Sequence, residues 1–579
     1  MSVVGGHLYD FGDFRLDTSK RVIQRQDGTP VSVPPKAYDT LAYLVGHAGA
    51  LIQKDALMTA VWPDTTVQEN NLTQSISALR RALGDGQGQH RYIATVPGRG
   101  YQFVAPVSTV HHAVLSETRA EISLAVLPFA NMSGTPEHEY FADGLTDELI
   151  NALSNVGSLR VVARRSAFTF KGAQKDIREV AQQLCVDLVL EGSLRRCGDC
   201  LRITAQLINA ADGCHLWSTR YERETGMRDL FKVQDEITLA IVDALKLKLS
   251  DGEIAGMLRH HTRSVEAHDL YLKGRFHLFR MTPASIQLGK SWIQKALEAD
   301  PDDAHAHVGL AHAYRMFALS LEMPPGEILP KAKAAAAKAI ELQPDLADAH
   351  AVLGFNIFWH EWDWNAAELH LRRALQLDPR SADTLWMYAH LCSNLGRHRE
   401  ALENIARACE LDPLSGLMNS MDGQFRLHAG KTDEALLRLR EALEIDPASR
   451  VAHAFAASAY IEEGLYEKAI AEARAAGAVS AVSTNALAFE SYAYAKAGRE
   501  QEARAALEEA LILSTQRYVP PYHIALMYNG LGATAEALTW LEQGFEGRDP
   551  KMVFLKVEPK WSNLQDHPGY VRLLKRMRL

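Results

Sequence analysis

The sequence has little of what would place it in a membrane or in an oxidising compartment. No run of 18 or more apolar residues occurs in the 579 residues, so no transmembrane helix is predicted. The first residues, Met1 to Gly6, have neither a basic nor an apolar region, and we expect no signal peptide. Six cysteines in a chain of this length make no disulfide framework, which favours a cytoplasmic location.

The motifs of common enzymes are missing as well. The chain has no P-loop, no Gly-x-Gly-x-x-Gly, no His-Glu-x-x-His and no nucleophile elbow. We therefore predict no enzyme, no catalytic residues, no cofactor and no metal. The net charge of −9 argues against a protein that coats nucleic acid along its whole length. Residues 1–106 carry 10 Lys and Arg against 9 Asp and Glu, so a small DNA-reading module at this end is allowed.

The stretch from Glu69 to Tyr101 has the pattern of a DNA-reading element. Apolar residues recur at helical spacing over residues 70–83, so one stripe of a predicted helix faces a core. The opposite face is polar and not acidic, which suits base edges and phosphates, and its members are Asn70, Thr73, Gln74, Ser77 and Arg81. Two predicted strands follow, and their turn carries Arg99 between two glycines, a shape that can reach a minor groove.

Short predicted elements precede this stretch. Two helices are expected at about 35–47 and 54–61, and four strand-like runs come before them: Leu8–Phe11, Phe14–Leu16, Val22–Ile23 and Val31–Val33. Within this order lie four motifs: Pro35-Lys36-Ala37, Ala60-Val61-Trp62-Pro63, Leu79-Arg80-Arg81-Ala82-Leu83-Gly84 and Val96-Pro97-Gly98-Arg99-Gly100-Tyr101. The order and the motifs together resemble the OmpR/PhoB-type winged helix-turn-helix, especially the branch of the CadC and ToxR activators.

The resemblance implies an α+β domain over residues 1–106 that binds double-stranded DNA. Its family fold has an N-terminal four-stranded sheet, a recognition helix for the major groove and a wing for the minor groove. By position, bases would be faced by Asn70, Thr73, Gln74 and Ser77, and phosphates by Lys54, Arg80 and Arg81. Arg99 would be the wing contact, and the loop Trp62–Gln68 lies where family members touch RNA polymerase.

The middle of the chain mixes predicted helices and strands. Residues 107–120 show little periodicity and are predicted to be a linker, and residues 121–250 are predicted to form an α/β sandwich. Four runs resemble a TolB N-terminal/FlgO-like domain, which implies a fold and no catalytic chemistry: Ala125–Phe129, Tyr140–Gly144, Leu190–Arg195 and Gln206–Ile208.

Three groups in this middle domain have both a functional and a structural interpretation. Cys197, Cys200 and the pair Cys214-His215 have the look of zinc ligands, but the first two also flank a hairpin turn, which we favour. Arg164-Arg165-Ser166 could bind an anion, and a solvated strand end is the preferred interpretation. Asp143, Asp147 and Glu148 could act as acid and base, but carboxylates at a helix start are the simpler expectation.

A 34-residue repeat occurs in the last part of the chain, from about residue 265. Gly396, Gly430, Gly464, Gly498 and Gly532 share this spacing, an alanine follows each of them by five residues, and an alanine follows the first four by twelve residues. A 34-residue repeat with small residues at helix crossings is the tetratricopeptide pattern, an all-α solenoid. We predict the array at 265–546 and a C-terminal cap at 547–579. Its groove would hold a protein or peptide, and the candidate groove positions are Asn394, Tyr460, Tyr494, Lys496 and Asn529.

The sequence thus predicts a multidomain, cytoplasmic bacterial transcriptional regulator. The winged helix would bind DNA, the middle domain would relay or dimerise, giving a possible homodimer, and the repeats would bind a partner. The alternative is a cytoplasmic interaction scaffold whose winged helix no longer reads DNA. That alternative predicts no salt-dependent DNA affinity.

Overall fold

The structure, a computed structural model, divides the chain into two compact units, residues 1–119 and 120–579. Every helix that it describes is too short or too polar to span a bilayer. The described residues are 8–17, 22–25, 31, 33–46, 48–49, 51–62, 69–85, 91–96, 98–105, 108–110, 122–133, 138–173, 175–197, 200–224, 228–247, 249–250, 254, 264–280, 282–319, 323–479 and 484–579.

The first unit begins with an antiparallel four-stranded sheet of order β3-β2-β1-β7. Its strands are β1 (Leu8–Phe11), β2 (Phe14–Asp17), β3 (Val22–Arg25) and β7 (Ser108–Val110). We expected the fourth strand at Val31–Val33, but Val31 and Val33 lie outside any strand, although the Val31 amide donates to the Ile23 carbonyl. The edge of β1 is taken instead by β7, which pairs Leu8 with Val110. Ser108–Val110 therefore belong to this sheet and not to the predicted linker. Thr109 and Val110 are residue types that favour strands.

Among its described residues, the first unit also contains three helices and a second, three-stranded sheet. The helices are α1 (Pro35–Gly46), α2 (Lys54–Val61) and α3 (Glu69–Leu83), and the strands are β4 (Leu51–Gln53), β5 (Ile93–Val96) and β6 (Gly100–Phe103). The order β4-β6-β5 is antiparallel throughout. Leu41, Leu57, Leu72, Ile76 and Phe103 are buried together, so the apolar stripe predicted on α3 faces the common core.

The middle part of the second unit is built on a six-stranded sheet with main order β10-β8-β11-β12-β13, in which β9 also pairs with β11. Its strands are β8 (Ile122–Val126), β9 (Ala130–Asn131), β10 (Leu159–Val161), β11 (Leu188–Cys197), β12 (Cys200–Asn209) and β13 (His215–Glu224). The helices are α4 (Glu139–Ser154), α5 (Arg164–Phe168), α6 (Ile177–Leu184) and α7 (Arg228–Ala244). Helix α5 was not expected from the sequence.

Sixteen helices within the described residues follow as eight antiparallel pairs. In chain order they are α8 (Val265–Leu278), α9 (Pro283–Ala299), α10 (Ala304–Leu319), α11 (Pro325–Leu342), α12 (Ala347–His360), α13 (Trp364–Leu377), α14 (Ala382–Asn394), α15 (His398–Leu411), α16 (Gly416–His428), α17 (Thr432–Ile445), α18 (Arg450–Glu462), α19 (Tyr466–Val479), α20 (Asn485–Lys496), α21 (Glu500–Gln516), α22 (Pro521–Gly530) and α23 (Thr534–Glu546). Each pair is one repeat.

The 34-residue sequence period has a direct structural cause. The five periodic glycines all have φ between +70° and +80° and sit in the turn between the two helices of a repeat. The periodic alanines, for example Ala401 and Ala408, are fully buried where neighbouring helices cross. In the third repeat Trp362 takes the glycine's place with φ +56°, which explains why the sequence period is lost there.

The residues after the eighth repeat do more than cap its end. They form two 3-10 helices, Pro550–Phe554 and Pro559–Leu564, and a final helix, α24 (Pro568–Met577). The Trp364 indole N–H donates to the carbonyl of Met577 over 2.7 Å, which joins the third repeat to the chain end. This C-terminal segment, residues 548–579, therefore packs back along the array.

Candidate nucleic-acid interface

Helix α3 presents one polar, exposed face. Asn70, Thr73, Gln74, Ser77 and Arg81 are all exposed, and at 3.6 residues per turn they fall within an arc of about 100°. The described residues of this arc include no acidic side chain. The Ser77 hydroxyl donates to the Thr73 carbonyl over 2.9 Å, which leaves its oxygen able to accept a bond from a base or phosphate. The structure thus brings together five of the eight predicted DNA-binding residues.

Arg80 lies off this face and is used within the protein. Its Nε and Nη2 donate to the Ile93 carbonyl over 3.2 and 2.7 Å, and Nη2 also lies 2.8 Å from the Thr95 hydroxyl. The guanidinium therefore holds α3 against strand β5. We interpret its first task as positioning the recognition helix against the wing, a role that the sequence pattern could not reveal.

The end of α3 is fixed by a second contact that the sequence did not suggest. Gly84 has φ +70°, and the Asp85 amide donates to the Arg80 carbonyl over 2.8 Å, which ends the helix. The buried Asp85 carboxylate accepts bonds from the backbone amides of Arg91, Tyr92 and Ile93 at 2.7 to 3.2 Å. One short side chain therefore ties the end of α3 to the start of β5. In the sequence, the role of Asp85 was indicated only by its position directly after Gly84.

The wing is the β5–β6 hairpin, in which Val96 pairs with Gly100. At its tip Gly98 has φ +70° and Arg99 is exposed, with its amide donating to the Val96 carbonyl over 3.0 Å. A Cβ on Gly100 would lie 1.9 Å from the Ile52 carbonyl oxygen, because β4 runs against this point of β6. The two glycines around Arg99 are therefore needed for different reasons. Gly98 adopts the left-handed backbone of the turn, and Gly100 allows the β4 backbone to approach closely.

Lys54 is the first residue of α2 and is partly exposed. It follows Gln53, which pairs with Gly100 next to the hairpin turn, so Lys54 follows the end of β4 that lies nearest the wing tip. The predicted polymerase loop begins at Trp62, which lies 5.8 Å from the Lys36 ammonium, and its other residues, 63–68, lie outside the described part. The Lys36 ammonium also donates to the Val61 carbonyl over 2.7 Å and so caps the end of α2.

The three groups of the middle domain that had both a functional and a structural interpretation can now be located in the fold. Cys197 and Cys200 face each other at one end of the β11–β12 hairpin, whereas Cys214 precedes β13 at the other end, about 30 Å away at 3.3 Å per residue. They cannot share one zinc ion. No cluster of three metal-ligating side chains occurs among the residues that the structure describes.

The acidic group is not at a helix start, because α4 begins at Glu139. Asp143 lies 2.6 Å from the Lys171 ammonium, and Asp147 lies 2.7 Å from the Arg275 guanidinium. Burial raises the pKa of Asp143, against the opposing effect of Lys171. These carboxylates are partners in ion pairs that join α4 to its neighbours.

Arg164-Arg165-Ser166 was expected at a solvated strand end and instead begins α5, which docks on the repeats. Ser166 donates its amide and hydroxyl to Asp412 at 2.9 and 2.6 Å, and Arg165 pairs with Asp383 at 2.8 Å. Arg164 is sandwiched between the rings of Phe168 and Phe279, each 3.7 Å from its guanidinium carbon. The anion-site and solvated interpretations were both wrong here, since these groups are used between the middle domain and the array.

Two regions of the chain match families of transcriptional regulators. Residues 28–103 match the family described as "Transcriptional regulatory protein, C terminal", and residues 120–239 match "HilA/YgeH-like transcriptional regulator, second domain". Residues 382–413 and 426–486 match tetratricopeptide repeat families. The chain therefore carries a winged-helix DNA-binding domain of the transcriptional-regulator type and a C-terminal repeat array. The TolB N-terminal/FlgO resemblance of the middle domain stays a prediction.

The curated relatives include transcriptional regulators and one protein named as a cyclase. The transcriptional regulator HilA of Salmonella typhimurium is 26% identical over 404 residues, covering 69% of this chain and 70% of HilA. "Putative adenylate cyclase 3" of Rhizobium meliloti is 45% identical over 192 residues, covering 33% of this chain and 32% of that protein. The transcriptional activator CadC of Escherichia coli is 36% identical over 97 residues, covering 17% of this chain and 19% of CadC. The chain thus spans about a third of the cyclase that it matches.

Proposed function

We propose that this chain, with its regulator-type DNA-binding domain, controls transcription by placing α3 in the major groove of double-stranded DNA. Asn70, Thr73, Gln74 and Ser77 would read base edges, because short hydroxyl and amide side chains can donate and accept there. Arg81 and Lys54 would contact phosphates. The observation that carries this proposal is the exposed polar arc of α3, which is free of acidic groups among the described residues.

The wing would add a minor-groove contact through Arg99. Its guanidinium is exposed at the hairpin tip, and a narrow minor groove attracts arginine through its enhanced negative potential. Arg80 would support DNA binding indirectly, because its guanidinium holds α3 against β5. It would make little direct contact with phosphates. The loop Trp62–Gln68 would meet RNA polymerase, and pairing of two copies would set two winged helices on neighbouring half-sites.

We place this activity in the cytoplasm, where regulators meet the chromosome, and assign it no catalytic step, cofactor or metal. The relative named as an adenylate cyclase shares a third of its length with this chain, and that share names no catalytic residue here. The alternative remains a scaffold in which the winged helix contacts protein. The two proposals differ in one measurable property, the salt dependence of DNA affinity.

The test is a selection of genomic DNA fragments by the purified full-length protein at two salt concentrations. We expect enriched fragments that share a half-site, with weaker recovery at the higher salt. Arg99→Ala should lose that enrichment, and Arg25→Ala is the control, because it removes the same charge from an exposed position on β3. Equal recovery with Arg99→Ala and wild type would overturn the wing contact. No enrichment at either salt would favour the scaffold.

A further inference from the structure

The side of the array lined by the first helices of the repeats is already occupied by the chain itself. Residues 550–564 of the C-terminal segment contact the first helices of the third to eighth repeats, α12, α14, α16, α18, α20 and α22. Phe554 alone reaches four of them. One ring can touch both the third and the eighth repeat only where the array curves around it. This surface is called the first-helix face below.

The Phe554 ring sits among four aromatic side chains. Its centroid lies 5.7 Å from that of Trp359, 5.8 Å from His390, 5.9 Å from His428 and 6.4 Å from Tyr522. All four contacts are edge-on or tilted, the arrangement that aromatic pairs favour. The site is an aromatic pocket that selects a planar ring.

A second pocket, six residues further on, holds a lysine. The Lys560 side chain is 2% exposed, and its ammonium donates to the Ser458 hydroxyl over 2.6 Å. Glu462 and Glu558 lie 3.2 and 2.9 Å from the same nitrogen. Ser458 and Glu462 belong to the array, whereas Glu558 belongs to the C-terminal segment itself, so the array supplies two of the three acceptors of this buried ammonium.

A third contact binds backbone. The Asn529 amide group donates to the Lys560 carbonyl over 2.6 Å and also exchanges hydrogen bonds with Asn563. Asn529 was one of the groove positions suggested by the sequence. A side-chain amide on a backbone carbonyl is a mode by which a groove can hold a peptide of varied sequence.

Other polar groups of the first-helix face are left without partners. Asn356, His390 and Gln424 occupy equivalent positions in successive repeats, each six residues before the left-handed residue that ends the helix turn. Asn356 and Gln424 are 2% and 1% exposed, and neither their amide nitrogens nor their oxygens have a hydrogen-bond partner among the described residues. The C-terminal segment is 3-10 helical here, so its backbone groups largely bond to one another.

We propose that the C-terminal segment is a built-in ligand of the first-helix face, and that the partner of the repeats is an extended peptide with an aromatic residue followed by a lysine. Such a peptide would fill both pockets. Its free backbone N–H and C=O groups would also satisfy Asn356 and Gln424, which the resident 3-10 turns leave unpaired. The partner would therefore bind by displacing the segment. This inference rests on the proposed function, since it names the partner class of the same repeats.

The test separates the segment from the array without removing it. A specific protease site is inserted between Gly547 and Arg548, which are both exposed, in the full-length protein. After cleavage, a fluorescent peptide of residues 548–579 is added and its anisotropy is followed. We expect exchange with the resident fragment, while circular dichroism shows the helix content unchanged. An extended peptide with Phe and Lys should compete, and the same peptide with both replaced by Ala should not.

A matched pair of variants tests the lysine pocket. Lys560→Met leaves Glu462 and Glu558 without their cation, so exchange should be at least tenfold faster. Lys556→Met is the control, because it changes the same residue type at an exposed position of the segment. Loss of helix content when the fragment leaves, or no exchange at all, would show that the segment is part of the core and would overturn the inference. DNA affinity of the cleaved protein, measured in parallel, tests the proposed function separately.

Discussion

The hydroxyl of Ser166 lies 2.6 Å from Oδ1 of Asp412, 246 residues further along the chain. The same carboxylate oxygen accepts the Ser166 amide at 2.9 Å, and the Leu414 amide donates back to the Ser166 hydroxyl at 2.8 Å. Asp412 is fully buried, at the junction of the fourth and fifth repeats. These hydrogen bonds hold the middle domain against the array, and Arg165 adds an ion pair with Asp412.

Asp412→Ala should separate these two parts. The change leaves two buried donors of Ser166 and the Arg165 guanidinium without this acceptor, and the expected loss is about 3 kcal/mol in the free energy of unfolding. Urea unfolding followed by circular dichroism measures it. Asp433→Ala is the control, because Asp433 is exposed in the first turn of α17. A loss under about 0.5 kcal/mol, equal to that of the control, would show that these hydrogen bonds do not hold the two parts together.

Arg80 and Arg81 are adjacent and should behave differently. Arg81→Ala should leave stability unchanged but reduce the slope of log affinity against log salt by about 0.9, the value for one phosphate contact. Arg80→Ala should lower the free energy of unfolding by about 1–2 kcal/mol, because the Ile93 carbonyl loses its two donors. Fluorescence titrations with DNA at several salt concentrations and thermal melts of the same proteins give both numbers. Identical behaviour of the two variants would contradict this division of roles.

The sequence revealed elements whose signal is local and missed those that depend on distant contacts. The apolar stripe of α3, the wing turn and the 34-residue period are local, and each was found where it was predicted. Strand β7 was missed because its partner, β1, lies about 100 residues earlier. Helix α5 was missed because its two arginines indicate solvent, whereas Asp383 and Asp412 of the distant repeats neutralise Arg165.

The residues of the candidate interface also divide into those with a local sequence signal and those that depend on distant contacts. Exposed positions on α3 followed from helical spacing, but the intramolecular role of Arg80 depends on a strand 13 residues away. Residues 547–579 were expected to cap the array, since no periodic pattern continues there. The pockets for Phe554 and Lys560 are assembled from several repeats, so no single stretch of sequence could indicate them.

Gly98 and Gly100 offer a second matched pair, in the wing. Gly98→Ala meets open space and costs only the left-handed backbone, about 1 kcal/mol. Gly100→Ala places a methyl group 1.9 Å from the Ile52 carbonyl, so β4 and β6 must separate, at about 3 kcal/mol. Amide hydrogen exchange of residues 93–103 in the full-length protein measures the effect, and we expect much faster exchange in Gly100→Ala alone. Equal protection in the two variants would show that the close approach is not real.

The buried histidines of the first-helix face should make the array sensitive to acid. Burial lowers the pKa of His428 to about 4 and lowers the pKa of His390 well below its usual value. The Ser393 hydroxyl lies 3.0 Å from Nδ1 of His428. The carboxylate of Glu558 opposes the lowering of the His428 pKa, while His398 and Lys560 add to it. In the unfolded chain histidine binds a proton near pH 6.5.

Between pH 6.5 and 4 the unfolded state therefore holds more protons than the folded state, so stability falls as the pH falls through this window. From pH 7 to 5, His428 alone should cost about 2 kcal/mol. Urea titrations at both pH values, on wild type and His428→Gln, measure it. The variant should lose less stability on acidification than wild type, even if it is less stable at pH 7. His453→Gln, at a partly buried position beside Glu472, is the control for the loss of a histidine from the array. An equal loss in His428→Gln and wild type would mean that His428 is not the buried neutral group.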